Sequence, residues 1–110
     1  MDNCIFCKII KGEIAKDFTY SSDTLVVFPD INPSADIHLL IVPKEHIKGM
    51  GEIGNNQRNL LVEVYKVINK LVKDNNLEDD LYRIVINGGK AQHVPHLHFH
   101  LLGGNWKKMV

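Results

Sequence analysis

His96-Leu97-His98-Phe99-His100-Leu101-Leu102 is the stretch that decides how this chain is read. Imidazoles alternate with apolar side chains, and a period of two is the mark of a half-buried strand. Successive strand side chains point to opposite faces, so His96, His98 and His100 share one face and Leu97, Phe99 and Leu101 share the other. The apolar set anchors the strand in a core, and the three imidazoles project in a row from a rigid element. Stability alone does not favour such a row, because each buried imidazole needs a hydrogen-bond partner. Gly103-Gly104 is expected to end the strand.

Outward from this strand, residues 81–86 read as another strand, and the polar, glycine-containing loop 87–92 follows it. Residues 37–42, apolar except for His38, read as a central strand that Pro43 ends. Residues 18–20 and 24–28 are β-rich runs separated by Ser21-Ser22-Asp23, the pattern of a hairpin. Pro29 and Pro33 make 29–34 a loop, and residues 4–11 form a short helix that Gly12 ends. Residues 55–75 are the one long helix. Leu60, Leu61, Val64, Tyr65, Val67, Ile68, Leu71 and Val72 fall within an arc of about 160° on it, wider than the roughly 100° that covers one sheet. The surplus is expected either to sink into the core or to meet a partner subunit. The arrangement is α+β with an antiparallel sheet.

The composition fits this reading. The 110 residues are 45% hydrophobic and 24% charged, an ordinary globular composition for a single domain over 1–110. Thirteen Lys and Arg balance thirteen Asp and Glu, so no global field draws the chain to a nucleic-acid polymer or an anionic membrane. An anionic ligand therefore has to be held by a local site. Met1-Asp2-Asn3-Cys4 lacks the positive region and apolar stretch of a signal peptide, and no apolar run approaches the roughly 20 residues that span a bilayer. A cytoplasmic location is expected. Cys4 and Cys7, the only cysteines, are too few for a secreted disulfide framework.

Three imidazoles on one face admit two chemistries. Histidines at i and i+2 can ligate a metal, and a metalloenzyme is one expectation. Alternatively one imidazole is a nucleophile that its neighbours orient. With a pKa of about 6.5 it is mostly neutral at pH 7, and its free nitrogen is available to attack phosphorus. Spacing alone does not choose between them.

The wider sequence resembles the histidine triad family, in its nucleotide-binding, Hint-like branch. The histidine strand matches the alternating motif that names the family. Asp30-Ile31-Asn32-Pro33, followed by His38-Leu39-Leu40-Ile41-Val42-Pro43-Lys44-Glu45-His46, matches the segment upstream of it. The resemblance implies a histidine-triad-like α+β fold, with about five antiparallel strands, one long helix and a short N-terminal helix. It further implies a homodimer whose sheet continues across the interface, and hydrolysis of nucleoside 5′-phosphoramidates through a covalent nucleotidyl-histidine. Carried over, it makes His98 the nucleophile, His100 its partner toward the phosphate or bridging atom, and His38 a support from the adjacent strand. It places Asn87, Gln92, His93 and Val94 near the phosphate, and Ile14, Phe28, Asp30 and Ile31 around a purine nucleoside. His93 stands where relatives carry a small hydroxyl residue, Ala91 replaces a glycine, and residues 105–110 form a shorter tail. A dinucleoside-polyphosphate hydrolase and a regulatory nucleotide-binding module are the alternatives.

Cys4-x-x-Cys7 alone admits incidental packing, a redox pair or a metal half-site. The resemblance completes a set: bacterial family members pair such cysteines with two histidines, which correspond here to His46 and His96. Structural Zn2+ held by Cys4, Cys7, His46 and His96 is therefore expected, with no open coordination position.

Overall fold

The computed structural model describes residues 3–110. The chain order is helix α1 (Ile5–Ile10), strands β1 (Tyr20–Ser21), β2 (Leu25–Pro29) and β3 (Ala35–Pro43), helix α2 (Arg58–Asp74), and strands β4 (Tyr82–Val85) and β5 (Phe99–Trp106). The five strands form one antiparallel sheet in the order β1-β2-β3-β5-β4. This is the α+β architecture expected from the sequence, with one long helix and a short N-terminal one.

Strand alternation divides the interior into two cores. Leu25 and Val27 of β2, Leu39 and Ile41 of β3, and Phe99 and Leu101 of β5 face α2, whose Val64, Val67, Leu71 and Val72 cover them. Val26 and Phe28 of β2 and Leu40 and Val42 of β3 point the other way and pack against Phe6, Ile9 and the two cysteines of the α1 segment. His38, His98 and His100 belong by alternation to this second face. The wide apolar arc of α2 is only partly used, since its Tyr65 is 68% exposed; Val62, outside the arc, is 53% exposed.

The histidine strand begins and ends later than its sequence pattern suggests. The ladder starts at Phe99, opposite Ile41, rather than at His96. Further back the partner strand reaches Pro43, which has no N–H to give, and whose carbonyl is taken by the His96 ring at 2.8 Å. Residues 96–98 keep the alternation without the ladder, tied instead by Leu97 N–H to the Ile47 carbonyl at 2.6 Å. At the other end the strand runs through both glycines to Trp106, which pairs with Ala35 across a register shift. Glycine is what allows this: Gly104 has φ +77°, and a Cβ on Gly103 would lie 2.7 Å from Leu77 Cδ1.

Smaller differences are local. Pro29 extends β2 by pairing with Leu39 at its end, and residues 55–57 form a tight 3-10 turn ahead of α2. At the start of α1, Cys4 is the cap and its Sγ accepts from the Cys7 N–H at 3.3 Å. Gly12, at φ +83°, follows the helix as its sequence suggests.

Candidate active site and metal centre

His38, His96, His98 and His100 are all buried, so each imidazole needs partners, and the partners fix the tautomers. A carbonyl can only accept. His98 Nδ1 lies 2.7 Å from the His96 carbonyl, so Nδ1 carries the proton and Nε2 keeps its lone pair. A second chain starts at the backbone. The Ser34 N–H donates to His38 Nδ1 at 3.0 Å, which puts the His38 proton on Nε2. That Nε2–H donates to His100 Nδ1 at 2.9 Å, closer than the 3.6 Å to Asp30 Oδ2. His100 must then carry its own proton on Nε2, and this buried nitrogen has no partner among the described residues. An unpartnered buried donor is costly unless a ligand completes it.

These rings are held neutral. Burial lowers the pKa of His98, against the opposing effects of its bond to the His96 carbonyl and of Asp30. Burial likewise lowers His38, with Asp30 opposing and Lys108 reinforcing. His100 falls furthest, to about 4, first through burial and then through His98 and His38 beside it.

His38, His98 and His100 open on a cavity of about 460 Å³. Of the nucleotide-contact positions expected from the sequence, Phe28, Asp30, Ile31, His93 and Val94 line it, whereas Ile14, Asn87 and Gln92 do not. Gln92 instead donates to the Lys48 carbonyl at 2.8 Å, and Asn87 Nδ2 is buried without a partner among the described residues. Asp30 Oδ1 accepts from the Asn32 N–H at 2.9 Å, which steadies the loop beside the cavity.

On the far side of His96 a different cluster forms. His96 Nε2–H donates to the Pro43 carbonyl, so its Nδ1 lone pair is free and lies 3.3 Å from Cys4 Sγ and 3.6 Å from Cys7 Sγ. His46 Nδ1 approaches Cys7 Sγ to 3.2 Å, and all four donor atoms lie within 4.8 Å of one another. Tetrahedral zinc, with bonds of about 2.0–2.3 Å, separates its ligands by roughly 3.5 Å. The donor set, its spacing and the preset His96 tautomer all fit that ion. The Cys7 pKa is raised, first by burial and then by Cys4; a dication at this point would favour both thiolates instead.

Asp30, His38 and His100 also bring donor atoms together, yet this is a hydrogen-bond chain. A metal on His38 Nε2 would strip that ring of its only proton, because Nδ1 already accepts from Ser34. Among the described residues, His96, His98 and His100 do not converge as a ligand set either. A metalloenzyme built on the three strand histidines has no centre here.

Residues 3–109 match the family model described as scavenger mRNA decapping enzyme C-term binding. The purine nucleoside phosphoramidase of Escherichia coli (strain K12) is 34% identical over 105 residues, covering 94% of this chain and 88% of that protein. The 14 kDa zinc-binding protein of Zea mays is 40% identical over 109 residues, covering 93% and 84%. The chain belongs to the histidine triad family. A HIT family hydrolase from Legionella pneumophila Philadelphia 1 superposes on this histidine triad chain with a TM-score of 0.90, at 38% identity and covering 94% of each.

Some cavity residues of this histidine triad protein escape a sequence reading. Ile5, Phe6 and Ile9 of α1 line the cavity, and the i, i+4 pair Ile5 and Ile9 was the available signal. Lys16 lines it too, its ammonium 5.4 Å from the centre of the Phe28 ring. Lys108 and Met109 reach it because the Lys107 and Lys108 N–H groups both donate to the Ser34 carbonyl, at 2.7 and 3.3 Å. Nothing in their sequence marks that docking.

Proposed function

We propose that this protein is a nucleotide-binding hydrolase that cleaves nucleoside 5′-phosphoramidates through a covalent nucleotidyl-His98 intermediate. One observation carries the reading: the His96 carbonyl holds the His98 proton on Nδ1, so the Nε2 lone pair is free in a ring that lines the cavity. Attack by Nε2 forms a phosphorus–nitrogen bond to His98 and breaks the one to the leaving amine, which departs with a proton from solvent. The ring becomes cationic, and its Nδ1–H bond to the carbonyl strengthens as it does. His100 Nε2–H donates to a phosphoryl oxygen and so meets its unfilled hydrogen bond. Water then attacks phosphorus, the bond to Nε2 breaks, the mononucleotide leaves and His98 returns to neutral. Asp30 Oδ2 suits the ribose hydroxyls, and the apolar wall of Phe28, Ile31 and α1 suits a purine. Splitting one displacement into two is what a covalent nucleophile supplies.

Trapping tests it. Enzyme mixed with adenosine phosphoramidate and quenched in base is digested and weighed by mass spectrometry. An added adenylyl group on His98, absent from His98→Ala, is expected. Fast turnover with no adduct on any histidine under millisecond quenching would overturn covalent catalysis.

Lys16 and Lys108 favour one second reading, a leaving group that is itself a phosphate, as in a dinucleoside polyphosphate. Relative kcat/KM for adenosine phosphoramidate and diadenosine polyphosphate separates the two, and Lys108→Ala should penalise only the second. A purely regulatory binding module predicts that His98→Ala keeps both affinity and physiological effect.

Cys4, Cys7, His46 and His96 would hold structural Zn2+, whose chemistry here is to fix four side chains with no coordination position left for substrate. Metal analysis after zinc-supplemented expression should give about one equivalent per chain; less than a tenth would sink it. Two reduced thiols suit a cytoplasmic setting. A homodimer is supported by β4, an edge strand whose flanks Leu81 and Ile86 and own residues Tyr82 and Ile84 are all exposed.

A further inference from the structure

Helix α1 belongs to two sites at once. Cys4 and Cys7 aim their sulfurs at His96 and His46, while Ile5, Phe6 and Ile9 line the cavity. Between them stands Phe6. Its ring is edge-on to His96 at 5.8 Å and 78°, and to His98 at 5.0 Å and 83°. It also meets Phe28, on the cavity wall, at 5.8 Å and 71°. A helix of six residues has no stability of its own in water, so its position is set by what it is fastened to. One fastening is the sulfur–imidazole cluster; the other is the apolar packing of Phe6 and Ile9 on Val26, Phe28, Leu40 and Val42.

We propose that Phe6 is a positioning residue for His98, through which the Cys4, Cys7, His46 and His96 cluster and the nucleotide cavity are coupled. A divalent zinc ion and a nucleotide then each tighten the binding of the other. The inference rests on the zinc and nucleotide readings above and adds the link between them. The single bond from His98 Nδ1–H to the His96 carbonyl fixes the tautomer but leaves the ring free to rock about it. Phe6, at 5.0 Å and 83°, and His100, at 5.0 Å and 60°, pack against that ring and limit the rocking. An ion on the four donors fixes both sulfurs to His96 and so fixes α1 and the Phe6 ring. With thiols alone, the fastenings are weak S–H contacts of 3.2 to 3.6 Å. A nucleotide must then order α1 itself, and its affinity falls by that ordering cost. Linkage makes the effect reciprocal.

The test needs no turnover. Zinc affinity is measured by competition with a chromophoric chelator, with and without saturating AMP, and AMP affinity by calorimetry with and without zinc. Both should rise by the same factor, about 5-fold or more. Phe6→Leu should keep one zinc per chain and lose the coupling. Asp30→Asn should weaken AMP equally in both metal states, which separates lost coupling from weaker binding. A linkage that arose from global unfolding of metal-free protein would survive in Phe6→Leu, and coupling that survives there overturns the role of Phe6. Zinc and AMP that both bind, but independently, overturn the coupling and leave the two readings standing. Failure to take up zinc, or to bind AMP, overturns the corresponding reading and the coupling with it. The wild-type measurement stands even if Phe6→Leu folds poorly.

Discussion

A neutral imidazole carries one ring proton, and here the backbone chooses which nitrogen has it. The Ser34 N–H and the His96 and Pro43 carbonyls impose the tautomers of His38, His98 and His96, and His38 passes the choice on to His100. His38→Ala releases His100 to present either nitrogen to the cavity. Its kcat/KM should fall about 10- to 100-fold, or roughly 1.4–2.7 kcal/mol of transition-state stabilisation, with zinc content unchanged. Protonation follows the same logic. Above about pH 6.5 the His100 ring is neutral whether the chain is folded or unfolded. As pH drops from there to its folded pKa of about 4, the unfolded chain binds a proton that the folded one refuses, so stability is lost on acidification. The loss can reach about 1.4 kcal/mol per pH unit for this one group and ends below its folded pKa. Urea midpoints measured between pH 7 and pH 4 should fall in the wild type and fall less steeply in His100→Gln.

At the scale of elements, β5 shows where sequence pattern is sufficient and where it is not. Alternation reported correctly that Leu97, Phe99 and Leu101 share a core face, because side-chain direction follows from local backbone geometry. The ends of the strand depend on a partner that alternation does not describe. Its start is set by Pro43 and the side-chain bond it receives, its finish by glycines packed against Leu77 and Asp36. Gly103→Ala would drive a methyl into the buried Leu77 side chain. It should cost about 1–3 kcal/mol, seen as a lower thermal midpoint, while the folded protein keeps its kcat. The same limit applies to the site. His38, Asp30 and Phe28 could be placed from motifs in strands and their adjoining loop, and they line the cavity. Lys108 could not, because its position comes from two backbone bonds to Ser34, far away in sequence.

For the whole molecule, the open side of β4 is an exposed apolar edge among the described residues. In the proposed dimer, a second copy would cover this edge. Ile84→Arg places a charge on that surface, where the side chain is 40% exposed in the single chain. Light scattering should then report twice the chain mass for the wild type and the single-chain mass for the variant. A wild type that elutes as one chain at micromolar concentration would refute the dimer.

The sheet also confines the chemistry to one of its two buried sides. Leu25, Val27, Leu39, Ile41, Phe99 and Leu101 face α2, whereas His38, His98, His100 and the α1 segment lie beyond the other surface. A library of substitutions across β2, β3 and β5 should therefore sort by residue parity. On one parity, variants would be scored by abundance alone. On the other, variants could stay abundant yet fail to work. Over generations the two sets of positions are free to drift at separate rates, so substrate preference can be remodelled without rebuilding the support beneath it.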